Sequence, residues 1–178
     1  PLEAPAPESR AAQLLGAPAD VSLTFEDPSG AVTGHLLPTG QPVDELRISD
    51  GRRVRTSVVD AGALYAFVAA RDLGVAGSED AATLDANAPF RTAVEALRAQ
   101  IAQLINERLH LSPALHARRL KIAIVSPAAP GSDVDVVARV VNTAKVHKAY
   151  AVSGGISLGA ATVIRGSVVN ELVPTPAA

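Results

Sequence analysis

A long amphipathic helix constrains this chain more than any other feature of its sequence. Between Ala88 and about Arg108, apolar residues recur at steps of three and four, namely Phe90, Val94, Leu97, Ile101, Leu104 and Ile105. This spacing places the apolar side chains in one stripe along a helix. Asn87 suits the N-cap and Pro89 suits the first turn. We therefore expect a long helix that packs one face against a sheet or core.

Strand patterns lie on both sides of this helix. Residues 21–37 predict a hairpin around the turn sequence DPSG, and residues 46–59 predict a second hairpin around Asp-Gly. The apolar run 63–70 predicts a strand buried on both faces, and 120–125 predicts a short buried strand. The chain therefore begins with strands before any helix forms.

A second helix is predicted after Ser132, which suits an N-cap. We interpret Asp133 and Asp135 as stabilising the positive end of that helix, in preference to a metal or acid-base role. The last part of the chain predicts a strand, a short helix and a final strand, at 149–152, 158–166 and 167–173.

Composition restricts the partners we expect. The 178 residues suffice for one domain or pieces of two, and the net charge of -2 argues against a nucleic-acid partner. The absence of cysteine excludes disulfides, thiolate zinc sites and thiol nucleophiles. His35, His110 and His116 have no neighbour at metal-ligand spacing, so no metal is expected.

The hydropathy of the chain and the composition of its ends indicate the cellular compartment we expect. No apolar run reaches the roughly 18 residues of a membrane-spanning helix, and the segment PLEAPAPESR is unlike a signal peptide. We therefore expect no membrane partner and a cytoplasmic protein. Residues 1–20 and the tail 174–178 are rich in proline and alanine, which predicts loose segments.

Residues 155–159, GISLG, match the G-x-S-x-G nucleophile elbow of hydrolases, which would make Ser157 a nucleophile. In that family an acid and then a histidine follow the serine. Here all four histidines precede Ser157, and only Glu171 follows it as an acid. A hydrolase is therefore not the favoured interpretation.

The segment SGGISLGAA, residues 153–161, has another use without a triad. Its glycines allow the backbone to approach a ligand, and a helix start leaves N–H groups unpaired. Such a site attracts a phosphate or a carboxylate, with Ser157 as a hydroxyl donor or proton relay. His147 is the nearest histidine and a candidate to touch substrate. Equally, the small residues could only let a helix pack closely on a sheet.

A series of motifs occurs in a recognisable order along most of residues 21–170. The motifs are LLPTGQPVD (36–44), SVVDAGALYAFVAARDLGVAGSE (57–79), AQLIN (102–106), KIAIVSP (121–127), DVDVVARVV (133–141), HKAYAVSGGISLGAA (147–161) and IRGSVVN (164–170). Together they resemble the PrpF family of 2-methylaconitate cis-trans isomerases and 4-oxalomesaconate tautomerases, which are similar in fold to diaminopimelate epimerase.

The resemblance implies an α+β fold of two similar lobes, each a curved sheet wrapped around a central helix, with the active site between the lobes. It implies proton transfer on small unsaturated di- or tricarboxylic acids, without a cofactor. The site segment would be Ser153, Gly154, Gly155 and Ser157, joined by Asp60 and His147, with Ser157 as the candidate catalytic residue.

Two departures from the family pattern affect these expectations. Relatives often carry a cysteine where this chain has Ser157, and a serine is a far weaker acid and base. Relatives commonly have D-A-x-N-P where this chain has Asp60-Ala61-Gly62-Ala63-Leu64, so a polar asparagine is missing.

The third departure is extent, because a complete member is about twice as long. The resemblance implies that residues 21–50 are trailing strands of a first lobe and 54–173 most of a second. We therefore predict a partial isomerase completed by another chain, by a further part of the same protein, or by a second copy in a homodimer. The alternative is a non-catalytic remnant or anion-binding domain of the same fold.

Overall fold

A computed structural model of the chain describes residues 24–48, 50–110, 119–142 and 145–173. The two segments predicted to be loose, 1–20 and 174–178, lie outside these ranges. Within them, the strands form one five-stranded sheet in chain order: β1 (Asp44–Arg47), β2 (Arg53–Asp60), β3 (Leu64–Ala69), β4 (Lys121–Pro127) and β5 (Val136–Val141). Neighbouring strands are antiparallel except β3 and β4, which are parallel.

Helices cover both faces of this sheet. The helices that the structure describes are α1 (Ala81–Ala86), α2 (Ala88–Leu109) and α3 (Val152–Val163), with a 3₁₀ turn at Ala70–Leu73. The first two form the connection between parallel β3 and β4, which a hairpin turn could not make. The mixed sheet and its helices confirm the predicted α+β class.

Helix α2 confirms the prediction for Ala88–Arg108. The Asn87 side chain accepts a hydrogen bond of 3.1 Å from the Phe90 N–H, and Pro89 lies in the first turn. The apolar stripe of α2 packs on one face of the sheet, and α3 packs on the other. Because both faces are covered, every residue of β3 is buried, as its sequence predicts.

Arg98 joins α2 to two strands of the sheet. This arginine is only 4% exposed, and its guanidinium donates hydrogen bonds to the carbonyls of Leu120 and Val141. Leu120 precedes β4 and Val141 ends β5. Burial lowers the pKa of Arg98, while Glu95 opposes the shift.

The predicted hairpin at residues 46–59 and the strand at 120–125 are confirmed as β1–β2 and β4. All four residues of β1 pair with β2. The predicted border between the lobes, which separates 21–50 from 54–173, therefore runs between two paired strands of one sheet. The division into lobes stays a prediction.

The predicted helix after Ser132 is wrong, because residues 136–141 form strand β5. The valines that fit a helical stripe also suit a strand, since β-branched side chains favour extended backbone. In the strand, Val136, Ala138 and Val140 pack on the α3 side. Pairing with β4 therefore decided between two patterns that the local sequence allows.

The predictions for 149–152 and 158–166 are also wrong in part. Residues 149–151 form no strand, and α3 begins at Val152, six residues earlier than predicted. The glycines of SGGIS therefore lie inside the helix. Packing against the sheet compensates for their low helix propensity.

The final strand predicted at 167–173 is wrong, because these residues form turns. The Ser167 hydroxyl donates to the Ala161 carbonyl at 2.6 Å and accepts from the Asn170 N–H at 3.0 Å. The Asn170 amide donates to the Thr162 carbonyl at 2.7 Å. These local bonds offer the backbone an alternative to a strand.

The hairpin predicted at 21–37 is wrong where it is described, because residues 24–37 form turns and one isolated bridge. Gly30 makes the chain turn sharply with φ of 69°, and a methyl group added there would lie 2.5 Å from the Gly34 backbone. This segment instead wraps the end of β2, where the Gly30 N–H donates to the Asp60 carbonyl at 2.7 Å.

No helix among the described residues is both long enough and apolar enough to cross a membrane.

We expect Leu97→Ala to lower the free energy of unfolding by about 2–5 kcal/mol, because it leaves a cavity between α2 and the sheet. Leu97 is fully buried. Urea denaturation followed by circular dichroism measures the change. Thr92→Ala, on the exposed face of the same helix, should change stability by less than about 0.5 kcal/mol. Equal effects of the two substitutions would contradict the packing of α2.

Candidate functional site

The start of α3 meets one end of the sheet. Asp60 ends β2 and pairs with the first residue of β3, and Tyr65 pairs with Lys121 at the start of β4. Helix α3 begins against Tyr65, since a methyl group added to Gly154 would lie 2.5 Å from the Tyr65 hydroxyl oxygen. The predicted segment 153–157 and Asp60 therefore lie at the same end of the sheet.

The Ser157 side chain is fully buried and faces the turn between β2 and β3. Its Oγ lies 2.7 Å from the Ala61 carbonyl oxygen and 2.8 Å from that of Ala63. The single hydroxyl proton can be donated to either carbonyl. Ser157 thus fastens α3 to this turn, and nothing in this geometry exposes its hydroxyl to a substrate.

A nucleophile elbow needs an exposed serine on a sharp turn from strand to helix. Ser157 instead lies within α3, and residues 145–151 contain no strand beyond an isolated bridge at Val146. The G-x-S-x-G match in GISLG therefore does not form an elbow.

Gly154 lets α3 approach the two tyrosines of the chain. A methyl group there would lie 2.5 Å from Tyr65 Oη and 2.9 Å from Tyr150 Cε1. The two rings stack with centroids 6.1 Å apart. Gly155, in contrast, has no heavy atom within 4 Å of such a group. Close packing thus requires a glycine at only the first of these positions.

The hydroxyls of Tyr65 and Tyr150 are buried without a hydrogen-bond partner among the described residues. Burial raises the pKa of both phenols, and Tyr65 adds to the increase for Tyr150. Both are therefore neutral near pH 7. In that state each phenol is a potential hydrogen-bond donor beside the start of α3.

The first turn of α3 has free backbone donors. Its N-cap is Ala151, which offers no side-chain acceptor. The N–H groups of Gly154 and Gly155 donate to the Ala151 carbonyl at 2.9 and 3.0 Å. No described residue accepts from the N–H of Val152 or Ser153. Unpaired donors at the positive end of a helix attract anions.

Asp60 is fully buried, and its carboxylate accepts hydrogen bonds from residues 32–33. Its Oδ2 accepts from the N–H of Val32 at 2.9 Å, and from the N–H and hydroxyl of Thr33 at 2.6 and 2.8 Å. Its Oδ1 is buried and has no partner in the described part of the chain. Asp60 therefore holds the preceding segment while keeping one carboxylate oxygen free.

His147 lies on the surface after β5. Its backbone N–H donates to the Val140 carbonyl at 2.9 Å, which extends the pairing at the end of β5. The imidazole makes no hydrogen bond or ion pair with another described residue. The structure thus places His147 on the segment leading into α3, and its contact with substrate stays a prediction.

The sequence analysis missed the aromatic part of this site. Tyr65 comes from β3, Tyr150 precedes α3, and Lys121 Nζ lies 5.5 Å from the Tyr65 ring centroid. One available signal was that the chain has only two tyrosines, one of them inside the HKAYAVSGG motif. Their meeting at Gly154 depends on the tertiary fold.

Comparison with known proteins assigns the family. The sequence matches the family described as PrpF protein over residues 8–177. The chain belongs to the PrpF family. This match confirms the family resemblance that the sequence motifs predicted. The matched residues include those of α3.

The relatives that match this PrpF chain have the names of enzymes. It is 32% identical to a 3-methylitaconate isomerase of Eubacterium barkeri, over 85% of the chain and 43% of that protein. It is 30% identical to a 4-oxalomesaconate tautomerase of Pseudomonas putida, over 94% of the chain and 44% of that protein. These relatives are isomerases or tautomerases of small carboxylic acids.

A solved structure of methylitaconate-delta-isomerase has the same fold. It matches 84% of the chain with a TM-score of 0.73 and 28% identity, and the match covers 42% of that structure. The PrpF chain thus spans less than half the length of the relatives it matches.

We expect Gly154→Ala to destabilise the protein by about 1–3 kcal/mol, because its methyl group would overlap the tyrosine rings. Gly155→Ala and Gly159→Ala should instead stabilise it by about 0.5–1 kcal/mol each, since alanine favours a helix and nothing lies within 4 Å. Thermal or urea denaturation measures all three. If Gly154→Ala matched the other two, α3 could not pack against Tyr65 as described.

Proposed function

We propose that this chain supplies the carboxylate-binding part of an isomerase or tautomerase site. The enzyme would act without a cofactor on small unsaturated di- or tricarboxylic acids, by moving a proton between carbons. The observation that carries this proposal is the pair of unpaired N–H groups at the start of α3, in a chain whose relatives are named as isomerases of such acids.

The chemistry explains why such donors would matter. Removing a proton from a carbon near a carboxylate leaves negative charge that must be stabilised as it develops. Backbone N–H groups fixed at a helix start can do this without reorganising. A carboxylate of the substrate placed there would also orient the carbon that loses its proton.

We assign different roles to the predicted site residues. Val152 and Ser153 would donate their free N–H groups to a carboxylate. Gly154 would act through its close contact with Tyr65, whose hydroxyl is a further donor. Ser157 is a positioning residue in this proposal, because its own hydroxyl is occupied by the Ala61 and Ala63 carbonyls.

The remaining acid and base would come from outside the described part of this chain. The relatives are more than twice as long as the matched region, so the proposed source is a complementing chain, a second copy or a further part of this same protein. The exposed His147 would be one polar contribution of this chain, and the unpaired Oδ1 of Asp60 would be another if the missing part reaches that buried carboxylate. The cytoplasm is the proposed compartment.

Val152→Pro tests the role of the α3 start directly. Proline fits the first helical position, and Ala151 already has the extended conformation that a following proline requires (φ -73°, ψ 143°). The substitution removes one free N–H, so we expect affinity for 3-methylitaconate or 2-methylaconitate to fall about tenfold. Isothermal titration calorimetry measures the affinity.

Val152→Ala is the matched control, because it shortens the exposed side chain and keeps the N–H. Its affinity should equal that of the unchanged protein, and all three proteins should unfold at similar urea concentrations. Equal affinities for the proline and alanine variants would rule out the α3 start as the carboxylate site.

Hydrogen exchange separates the isomerase from its alternative, a non-catalytic anion-binding domain. The occupied Ser157 hydroxyl and the alanine at position 63 favour the alternative. In D₂O, the chain alone should bind these acids without exchanging their protons, as followed by ¹H NMR. Co-expression with the product of an adjacent reading frame that resembles the rest of a PrpF protein should restore exchange. Exchange by the chain alone would contradict a partial site, and none in the pair would favour the alternative.

A further inference from the structure

A cavity lies away from the start of α3. Its volume is about 310 Å³, and it is lined by Asp80, Ala81, Ala82, Arg139 and Lys148. Pockets that bind small molecules commonly measure roughly 300–1,000 Å³. This cavity is thus at the lower end of that range and suits a small ligand.

The sheet separates Arg139 from α3. Arg139 pairs with Ile124 in antiparallel β4 and β5, and directly opposed side chains project from the same face. Ile124 packs in the cluster that contains the apolar stripe of α2, whereas α3 packs on the other face. The cavity is therefore distinct from the carboxylate site proposed above.

The two cations of the cavity form no direct ion pair in the described part of the chain, although the charge of Arg139 helps to lower the pKa of Glu79 and Asp80. The Nε of Arg139 is buried without a hydrogen-bond partner among the described residues. Other arginines of the chain differ, since Arg52, Arg55 and Arg98 all donate to carboxylates or carbonyls.

The acids beside these cations already have backbone partners. Asp80 caps α1 by accepting from the Thr83 N–H at 2.7 Å. Glu79 accepts from the N–H groups of Ala76 and Gly77 at 2.8 and 2.7 Å. Their negative charge is therefore partly offset by hydrogen bonds, while Arg139 and Lys148 both line the cavity.

We propose that Arg139 and Lys148 bind a small oxyanion in this cavity, a phosphate or a carboxylate. Arginine holds two oxygens of one such group with its planar fork, and lysine adds a point charge. The small side chains of Ala81 and Ala82 leave the volume that the oxyanion fills. This is an anion site additional to the one at α3.

Titration of the full chain with inorganic phosphate and with citrate, at constant ionic strength, tests the site by amide chemical shifts. Arg139→Gln and Lys148→Gln should each weaken binding about tenfold. Lys148 is exposed, so its substitution leaves the fold intact. Lys145→Gln removes the same charge from an exposed residue outside the cavity and should change affinity little.

Asp80→Asn should strengthen binding, because asparagine keeps the α1 cap while removing a competing charge. Val152→Pro should leave the affinity of this cavity for anions unchanged. The two proposals can therefore fail independently of each other. A response to only one ligand would identify the oxyanion as phosphate or carboxylate. The proposal is overturned if neither anion produces saturable changes in the amide chemical shifts of residues 80–82. It is also overturned if Lys145→Gln weakens binding as much as Lys148→Gln.

Discussion

Burial of β3 on both faces determines where the other described elements lie. All six of its residues are buried, and its two neighbours pair with it in opposite senses, β2 antiparallel and β4 parallel. Ala66 and Val68 face α2, whereas Tyr65 and Phe67 face α3. Exposing such a strand on either face would cost roughly 25 cal/mol for each Å² of apolar surface. Both helices are thus needed, and the position of Tyr65 decides how α3 begins.

Elements specified by local pattern could be predicted from the sequence. Helix α2 has a capping residue and an apolar stripe of helical period, and the β1–β2 hairpin has a turn of Asp-Gly. Strands β3 and β4 are short apolar runs, which are typical of buried strands. In each case the chemistry of neighbouring residues and the tertiary fold favour the same conformation.

Elements decided by distant contacts could not be predicted in the same way. The valines of β5 fit a helix or a strand, and only the edge of β4 selects the strand. Residues 31–37 resemble the return strand of a hairpin, yet the buried carboxylate of Asp60 binds the N–H groups of Val32 and Thr33. The glycines around 154 predict a turn, but contact with the tyrosines makes them part of a helix.

The same division applies to the candidate site. The sequence located the segment 153–157 and its likeness to an anion-binding helix start. The sequence could not show that the Ser157 hydroxyl lies within hydrogen-bond distance of two carbonyl oxygens from residues 94 and 96 positions away. Because of these contacts, the hydroxyl is not a free donor. The tyrosines were missed for the same reason, since one belongs to β3 and the other to the loop before α3.

The pairing of Tyr65 and Tyr150 gives the protein a built-in optical reporter. These are its only tyrosines and it has no tryptophan, so nearly all of its near-ultraviolet absorption and intrinsic fluorescence arises where α3 meets the sheet. The hydroxyls are buried without partners, so a ligand or a movement that reaches them would alter this emission. Events at the start of α3 can therefore be followed without a label, while α2 and the rest of the core contribute little to this signal.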